Sequence, residues 1–174
     1  APNAAKIHHQ LIKHGYIKEY WTMTLSKTSI IDLTKSEQSL LKSFHKKTRQ
    51  YINLAKRNGI NIIQSDNINL AYKLYQQSAI RNNFKPLSFK DFHLRFQVFY
   101  TSKMALLLLA QTKNSQSVAT LLVLLNSQNK QAAASLAGTS EKGGQLRASY
   151  LLYWEAIKLC KKLGYKKFDF DGIA

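Results

Sequence analysis

The sequence predicts an α/β (α+β) domain in which a mixed, mainly antiparallel sheet is flanked by helices. One supporting observation is the order of strand-like and helix-like segments, β-α-β-α-α-β-β-β-α-β, which suits a sheet covered by helices. Another is a run of three consecutive strand-like segments joined by turn-prone residues, which is typical of an antiparallel meander. The chain has 174 residues, of which 45% are hydrophobic. Because this length can enclose one core, we expect a single domain over residues 1–174.

The individual elements follow from hydrophobic periodicity and from residues that begin or end helices. A short helix over residues 4–14 ends before Gly15, a residue type that favours helix ends. The other helices repeat apolar residues every three or four positions, whereas the strands are rich in β-branched and aromatic residues. The further predicted helices cover residues 37–58, 68–83, 89–99 and 148–163. The predicted strands cover residues 20–25, 29–33, 60–64, 103–112, 116–126, 131–138 and 167–170, and residues 140–146 form a glycine-containing loop.

The predicted helix over residues 37–58 is the most basic element of the chain. Thr34 and Glu37 have the spacing of a capping box, and Gly59 ends the periodic segment. No acidic residue occurs between Glu37 and Asp66. The cations proposed to bind phosphates of a nucleic acid or of a nucleotide-linked molecule are Lys46, Lys47, Arg49, Lys56 and Arg57. A solvated helix face is the alternative interpretation.

The charge balance of the whole chain is strongly positive. Lys and Arg number 26 and Asp and Glu number 9, giving a net charge of +17. Such a surface attracts nucleic acid, anionic lipid headgroups or phosphorylated small molecules, and composition alone does not rank these partners. A lysine-rich surface that only faces solvent is the competing interpretation.

Several classes of protein do not fit the sequence. The longest apolar runs, residues 104–110 and 118–125, have the length of strands and are too short to cross a bilayer. The first residues lack the basic and apolar regions of a signal peptide. Cys160 is a single cysteine in a helical segment, so we expect a buried, inert thiol. These features favour a cytoplasmic protein, with peripheral contact to an anionic inner membrane surface as a further expectation.

The histidines do not form the spacing of a known catalytic or metal site. They are His8, His9, His14, His45 and His93, and none has a matched serine or acid nearby in sequence. The adjacent pair, His8 and His9, would point about 100° apart on a helix. We expect neither a metal site nor a bound cofactor.

Three stretches resemble the Fem family of tRNA-dependent peptidyl transferases. The first contains IDL at residues 31–33 and KKTRQYINLAKRNGI at residues 46–60. The second contains QAAASLAGTS at residues 131–140 and RASYLLYWEAIK at residues 147–158. The third is GYKKFDFDGI at residues 164–173. The stretches occur in the family order and together cover nearly the whole chain.

This resemblance implies a GNAT-like fold (the acyl-CoA N-acyltransferase fold) and a transferase. Fem enzymes move an amino acid from aminoacyl-tRNA to the amine of a peptidoglycan precursor, which is lipid-linked or nucleotide-linked, in cell-wall cross-bridge formation. The family resembles two tandem GNAT-like lobes, and this chain resembles the second. The first lobe and the family's Phe-Lys element, whose lysine is thought to stabilise the transferring carbonyl, are expected outside this sequence. Alone, the chain is therefore expected to fold but not to complete transfer.

Further residues are candidates for substrate binding. Arg81 and Arg95 lie on the two middle helices near phenylalanines and could clamp a diphosphate. Arg147 ends the segment KGGQLR, where a GNAT protein holds a pyrophosphate at a helix N-terminus. Because the full glycine signature for coenzyme A is incomplete, acetyl-CoA is less favoured there, but the same turn could accept a different phosphate. A merely flexible loop is the alternative interpretation.

The last predicted strand carries two carboxylates. Asp169 and Asp171 alternate with phenylalanines and are predicted to face one side of the strand. Asp171 is the candidate for touching substrate or taking part in catalysis, whereas backbone capping or pairing with neighbouring lysines is the favoured alternative. Trp154 and Tyr150, on the preceding helix, are predicted to lie in the core.

Two other functions remain open from the sequence. One is an acyl-CoA-dependent N-acyltransferase of the GNAT superfamily, which would bind acetyl-CoA. The other is a non-catalytic, basic RNA-binding module with the same fold.

Overall fold

The computed structural model describes residues 4–16 and 28–171. Their helices are α1 (Ala4–Lys13), α2 (Glu37–Ser43), α3 (Lys46–Arg57), α4 (Ile68–Arg81), α5 (Phe89–Thr101), α6 (Glu141–Gln145) and α7 (Ala148–Lys162). Their strands are β1 (Ile30–Asp32), β2 (Asn61–Gln64), β3 (Ala105–Gln111), β4 (Ser117–Asn126), β5 (Gln131–Thr139) and β6 (Lys167–Asp169). The strand predicted over residues 20–25 lies outside the described residues.

Within the described residues, the strands form one six-stranded sheet in the order β1-β6-β5-β4-β3-β2. The pairs β1–β6, β2–β3, β3–β4 and β4–β5 are antiparallel, and β5–β6 is parallel. The predicted meander is therefore β3-β4-β5. The mixed, mainly antiparallel sheet predicted from the sequence is confirmed.

Helices cover both faces of the sheet because neighbouring residues of its central strands point to opposite sides. Leu106 and Leu108 of β3 pack in one core with residues of α3 and α7. Leu107, between them, packs in a second core with residues of α4 and α5. Within residues 4–16 and 28–171, no helix combines the length and hydrophobicity that crossing a bilayer requires.

The helix predicted over residues 37–58 is wrong in one respect, because the chain leaves helical geometry at Phe44 and His45. Phe44 has extended backbone angles, and its ring meets the Trp154 ring edge-on at a centroid distance of 5.7 Å. His45 then begins α3, since its Nδ1 accepts a hydrogen bond from the Lys47 amide at 3.3 Å. The break was not apparent in the sequence because α2 and α3 keep the same apolar spacing.

The start of α2 also differs from the predicted capping box. Ser36, not Thr34, caps the helix by accepting a hydrogen bond from the Ser39 amide at 3.2 Å. The Thr34 hydroxyl and amide instead donate to the Asp32 carboxylate, at 2.7 and 3.0 Å. These hydrogen bonds lower the pKa of Asp32, the hydroxyl contributing most. Thr34 therefore lies in the turn that follows β1 and does not begin a helix.

The loop predicted over residues 140–146 contains the short helix α6. Ser140 caps it, because its hydroxyl accepts a hydrogen bond from the Gly143 amide at 3.1 Å. Gly143 is buried, and a Cβ atom there would overlap the carbonyl oxygen of Val118 in β4. Glycine at this position thus permits close packing of α6 on the sheet rather than a flexible loop.

Replacement of Trp154 tests the packing of α7. The side chain is 4% exposed and belongs to the core beneath α7, so Trp154→Ala should lower the free energy of unfolding by about 3–5 kcal/mol. Chemical denaturation followed by circular dichroism measures the change. Lys162→Ala, an exposed change on the same helix, should shift it by less than about 0.5 kcal/mol. Equal stability of wild type and Trp154→Ala would contradict a core role.

Candidate functional site

The sheet opens at the end of β5. β6 pairs with the first residues of β5 only, the last pair being Ala133 with Asp169. Beyond that pair, the chain follows β1, since the Phe170 amide donates a hydrogen bond to the Ser29 carbonyl at 3.0 Å. Within the described residues, residues 134–139 therefore pair with β4 alone. We call these residues of β5 the open edge.

A β-bulge lies at the start of the open edge. Val123 of β4 pairs with Ala134, but the preceding Leu122 pairs with Leu136, so Ser135 is an extra residue in β5. A bulge bends the strand that carries it and increases its twist. The separation of β5 from β6 thus has a local cause in the register of β4 and β5.

A cleft of about 910 Å³ lies between α4 and α6, beside the last residues of β5. Its lining contains three cations and one carboxylate together with amide and hydroxyl groups, and we call it the polar cleft. The lining residues are Leu70, Lys73, Leu74, Gln77, Ile80, Arg81, Gln116, Ser117, Ser140, Glu141, Lys142 and Gln145.

Neutral groups hold two of the cations in the polar cleft. The Arg81 guanidinium donates to the Thr139 carbonyl at the end of β5 and to the Ser78 hydroxyl. Lys142 donates through Nζ to Oε1 of Gln116 at 2.8 Å. Since these acceptors carry no charge, the positive charge of both side chains remains available to an anionic ligand.

A second cleft, of about 720 Å³, lies between α3, α7 and β1, and we call it the aromatic cleft. Its lining residues are Ser29, Ile31, Ser43, Phe44, His45, Thr48, Ile52, Ser149, Tyr150, Tyr153, Trp154, Ile157 and Phe170. The rings of Tyr153 and Phe170 stack at a centroid distance of 5.5 Å. Burial raises the pKa of the Tyr153 hydroxyl, so this wall of the cleft is neutral.

The two clefts adjoin at the end of β5. The hydroxyls of Thr139 and Ser149 share a hydrogen bond of 2.7 Å, and Ser149 lines the aromatic cleft. Ser140, the next residue after Thr139, lines the polar cleft. The junction of β5 with α6 and α7 therefore separates an anion-attracting cleft from an apolar one.

A cation and two rings lie at the aromatic cleft. Arg147 has a left-handed backbone (φ 59°), and its guanidinium carbon is 4.5 Å from the centroid of the Tyr51 ring. The rings of Tyr51 and Tyr150 are 4.8 Å apart. Tyr150 is 38% exposed and lines the cleft, so its predicted core position is wrong, whereas Trp154 is buried as predicted. We call Arg147, Tyr51 and Tyr150 the stacking platform.

The cations predicted on α3 differ in their surroundings. Lys46, Lys47, Lys56 and Arg57 are exposed. The Arg49 guanidinium instead donates hydrogen bonds to the carbonyls of Lys42 and Phe44, at the break between α2 and α3. Phosphate binding by α3 therefore depends chiefly on the four exposed cations.

The remaining predicted cations lie apart from one another. Arg95 is exposed on α5 and is not among the residues that line the polar cleft with Arg81, so the structure does not bring these two arginines together. The amides of Gly143 and Gly144 donate to Ser140 within α6. They are consequently not free to bind the phosphate proposed for the segment KGGQLR.

The two carboxylates at the end of β6, Asp169 and Asp171, do not face one side of a strand, and that prediction is wrong. β6 ends at Asp169, and Asp171 has a left-handed backbone with φ 57°. Asp169 accepts hydrogen bonds from the Asp171 amide at 2.9 Å, from Gln131 Nε2 at 3.0 Å and from the Thr28 hydroxyl. Capping of the neighbouring backbone, the favoured alternative, describes Asp169, while the Asp171 side chain is exposed.

The structure gives His45 and Cys160 structural roles. Across residues 4–16 and 28–171, no three metal-ligating side chains come together. His45 has the structural role of capping α3. Cys160 is buried, as predicted, and burial raises the pKa of its thiol to about 12.

Comparison with known families identifies the chain. The family model described as the FemAB family matches residues 4–133, well over half of the sequence. The chain belongs to the FemAB family. No curated protein matches the sequence significantly.

Solved structures agree with the fold of this FemAB-family chain. FemX is 13% identical with a TM-score of 0.78; the match covers 98% of this chain and 60% of FemX. The structure of L-PGS from Bacillus licheniformis is 19% identical with a TM-score of 0.64, covering 95% and 49% respectively. A GNAT-family acetyltransferase from Staphylococcus aureus is 17% identical with a TM-score of 0.51, covering 62% and 70%. The predicted GNAT-like fold is confirmed, and the chain spans less than two-thirds of the length of FemX.

The thiol of Cys160 provides a pH-dependent test of the core. Its pKa is about 12 in the folded protein, against about 8.5 in an unfolded chain. The folded protein keeps the thiol neutral, so below about pH 8.5 this group makes its full contribution to the free energy of unfolding. The contribution declines as the pH rises toward 12. Ellman's reagent at pH 8 should leave the folded protein unmodified and react rapidly in guanidinium chloride.

An exposed thiol serves as the control for this measurement. Lys162→Cys places a cysteine on the surface of the same helix, and one equivalent should react immediately in the folded protein. Rapid reaction of the wild type under native conditions would contradict burial of Cys160.

Proposed function

We propose that this chain forms part of an aminoacyltransferase that moves an amino acid from aminoacyl-tRNA to the amine of a peptidoglycan precursor. The observation that carries the proposal is the pair of adjoining clefts, one cationic and one aromatic, at the open edge of a FemAB-family chain. Two substrates that both carry phosphates need separate anion-attracting surfaces and a common meeting point. The proposed site of action is the cytoplasm, where charged tRNA is found.

The polar cleft is proposed to hold the phosphates of the precursor. Lys73, Arg81 and Lys142 place three cations around a volume of about 910 Å³. The hydrogen bonds of Arg81 and Lys142 to neutral acceptors fix these side chains before a ligand arrives. Such preorganisation reduces the entropy lost on binding.

The exposed cations of α3 and the stacking platform are proposed to hold the acceptor end of the tRNA. Lys47 precedes Tyr51 by four residues, so both project from the same side of α3. The cations would contact backbone phosphates, which dominate the affinity for nucleic acid. Tyr51, Tyr150 and Arg147 offer flat faces on which an unpaired terminal base stacks. The contact would extend along the RNA strand through Lys46, Lys56 and Arg57.

The reaction depends mainly on how the two substrates are positioned. The neutral amine attacks the ester carbonyl, the bond from that carbonyl carbon to the ribose oxygen breaks, and the amine loses a proton while the ribose oxygen gains one. Holding the two groups in contact and stabilising the oxyanion supply most of the rate in such transfers. Asp171 is the carboxylate proposed to touch substrate, because its side chain is exposed whereas Asp169 is engaged by three donors.

A transfer assay with cleft variants tests this function. The protein that carries this chain at its natural length is incubated with charged tRNA and a nucleotide-linked precursor, and labelled amino acid is followed. Arg81→Ala and Lys142→Ala should each raise the KM for the precursor about 10- to 100-fold, because each removes a charged hydrogen-bond donor. Lys166→Ala, an exposed change outside the polar cleft, should leave KM unchanged.

The outcomes separate the alternative functions. Acetyl transfer from acetyl-CoA without any requirement for charged tRNA would replace the proposal with an acyl-CoA-dependent N-acyltransferase. Binding of tRNA with no transfer from either donor would indicate an RNA-binding module. Transfer from charged tRNA with unchanged KM in both variants would refute the assignment of the polar cleft.

A further inference from the structure

We propose that the outer face of α5 docks on an anionic lipid bilayer. The proposal concerns a surface that the clefts do not use, and it stands independently of the proposed transfer reaction. We call this face, together with the residues that flank the helix, the α5 surface. Its members are the apolar residues Leu94, Val98 and Met104 and the cations Lys85, Lys90, Arg95 and Lys103, all of them exposed.

The apolar part of the α5 surface is exposed although half of the helix is buried. Phe92 and Phe96 point into the core and are 1% and 6% exposed. Leu94 and Val98 are each 54% exposed. Lys90, Leu94 and Val98 follow one another at intervals of four residues and therefore form one ridge along the helix. Core packing gives no reason for leucine and valine at the exposed positions of this ridge.

The cations of the α5 surface lack internal partners. Within residues 4–16 and 28–171, none of Lys85, Lys90, Arg95 and Lys103 forms an ion pair. The acid in this segment, Asp91, accepts a hydrogen bond from the Ser88 hydroxyl at 2.6 Å at the start of α5. A helix that combines exposed aliphatic side chains with unpaired cations suits the interface of a membrane, where chains enter the acyl boundary and cations meet headgroups.

The chemistry of the surface favours lipid over other occupants. Leu94, Val98 and Met104 offer neither stacking faces nor hydrogen bonds to the bases of a nucleic acid. A second copy of the chain would bring two strongly positive surfaces together, which the net charge of +17 opposes. Anionic headgroups above an acyl layer satisfy both the charges and the aliphatic side chains. Lysine and arginine can also extend their stems along the apolar boundary while the charges stay hydrated.

Flotation with lipid vesicles tests the charges of the α5 surface. The chain should bind vesicles of phosphatidylcholine with phosphatidylglycerol and bind pure phosphatidylcholine far more weakly. The triple variant Lys90→Gln, Arg95→Gln, Lys103→Gln should lose on the order of 100-fold in affinity. A matched triple variant with the same loss of charge on other exposed lysines, Lys35→Gln, Lys162→Gln, Lys166→Gln, should lose less than about fivefold, because these residues lie away from the α5 surface.

The apolar residues are tested separately. Leu94→Ser, Val98→Ser should weaken vesicle binding about 10-fold with unchanged thermal stability, since both residues are exposed. Because Cys160 is buried with a pKa of about 12, Val98→Cys can be labelled selectively with an environment-sensitive fluorophore. The fluorescence intensity of this label should rise, and its emission maximum should shift to shorter wavelength, when anionic vesicles are added. The same label on Lys162→Cys should not respond.

Other results would overturn the proposal. Equal losses in the two triple variants would show that binding follows net charge alone. An unresponsive label on Val98→Cys, or equal binding to neutral vesicles, would show that α5 does not enter the interface. A dimer in solution that Leu94→Ser, Val98→Ser dissociates would assign the surface to a second copy, and loss of tRNA binding in the α5 triple variant alone would assign it to RNA.

Discussion

The short parallel pairing of β5 with β6 is the constraint on which the rest of the site depends. Within the described residues, β6 pairs with residues 131–133 of β5 alone, and the bulge at Ser135 follows directly. The open edge that results ends at Thr139, shortly before α6, and the Thr139 hydroxyl bonds to the Ser149 hydroxyl in α7. Where the chain leaves β5, the Phe170 amide bonds to the Ser29 carbonyl, and both residues line the aromatic cleft. The register of β5 and β6 therefore places one wall of the aromatic cleft.

The two faces of the sheet carry different chemistry around this opening. On one face, α3 and α7 supply rings and cations, and the edge contact of Phe44 with Trp154 fixes the break between α2 and α3. On the other face, α4 supplies Lys73 and Arg81 to the polar cleft, and α5 presents an outer face of aliphatic and basic residues. The positive charge is thus not spread uniformly over the surface. Each group of cations adjoins neighbours suited to a different partner: rings for a base, amides for a phosphate, and aliphatic chains for a lipid.

Much of the fold could be predicted from the sequence because local periodicity and turn residues dictate it. The meander β3-β4-β5 and the helices α4, α5 and α7 follow from such patterns. The break at Phe44 could not, because the apolar spacing continues through it and one of the contacts made there is with Trp154, distant in sequence. The clefts could not be predicted from the sequence for the same reason. Tyr51 has the spacing of a core residue, and its contact with Arg147 exists only after α3 packs on α7. Asp171 was misplaced because alternation continues past the end of β6.

Hydrogen exchange measured with each ligand tests the central claim, that the two clefts hold different substrates on either side of the end of β5. An RNA acceptor arm should slow exchange in α3 and at residues 147–150, and a nucleotide-linked precursor should slow exchange in α4 and at residues 140–145. Added together, the two ligands should protect both sets of amides from exchange, and neither ligand should displace the other. Protection of a single shared set by both ligands, with each displacing the other, would contradict the account.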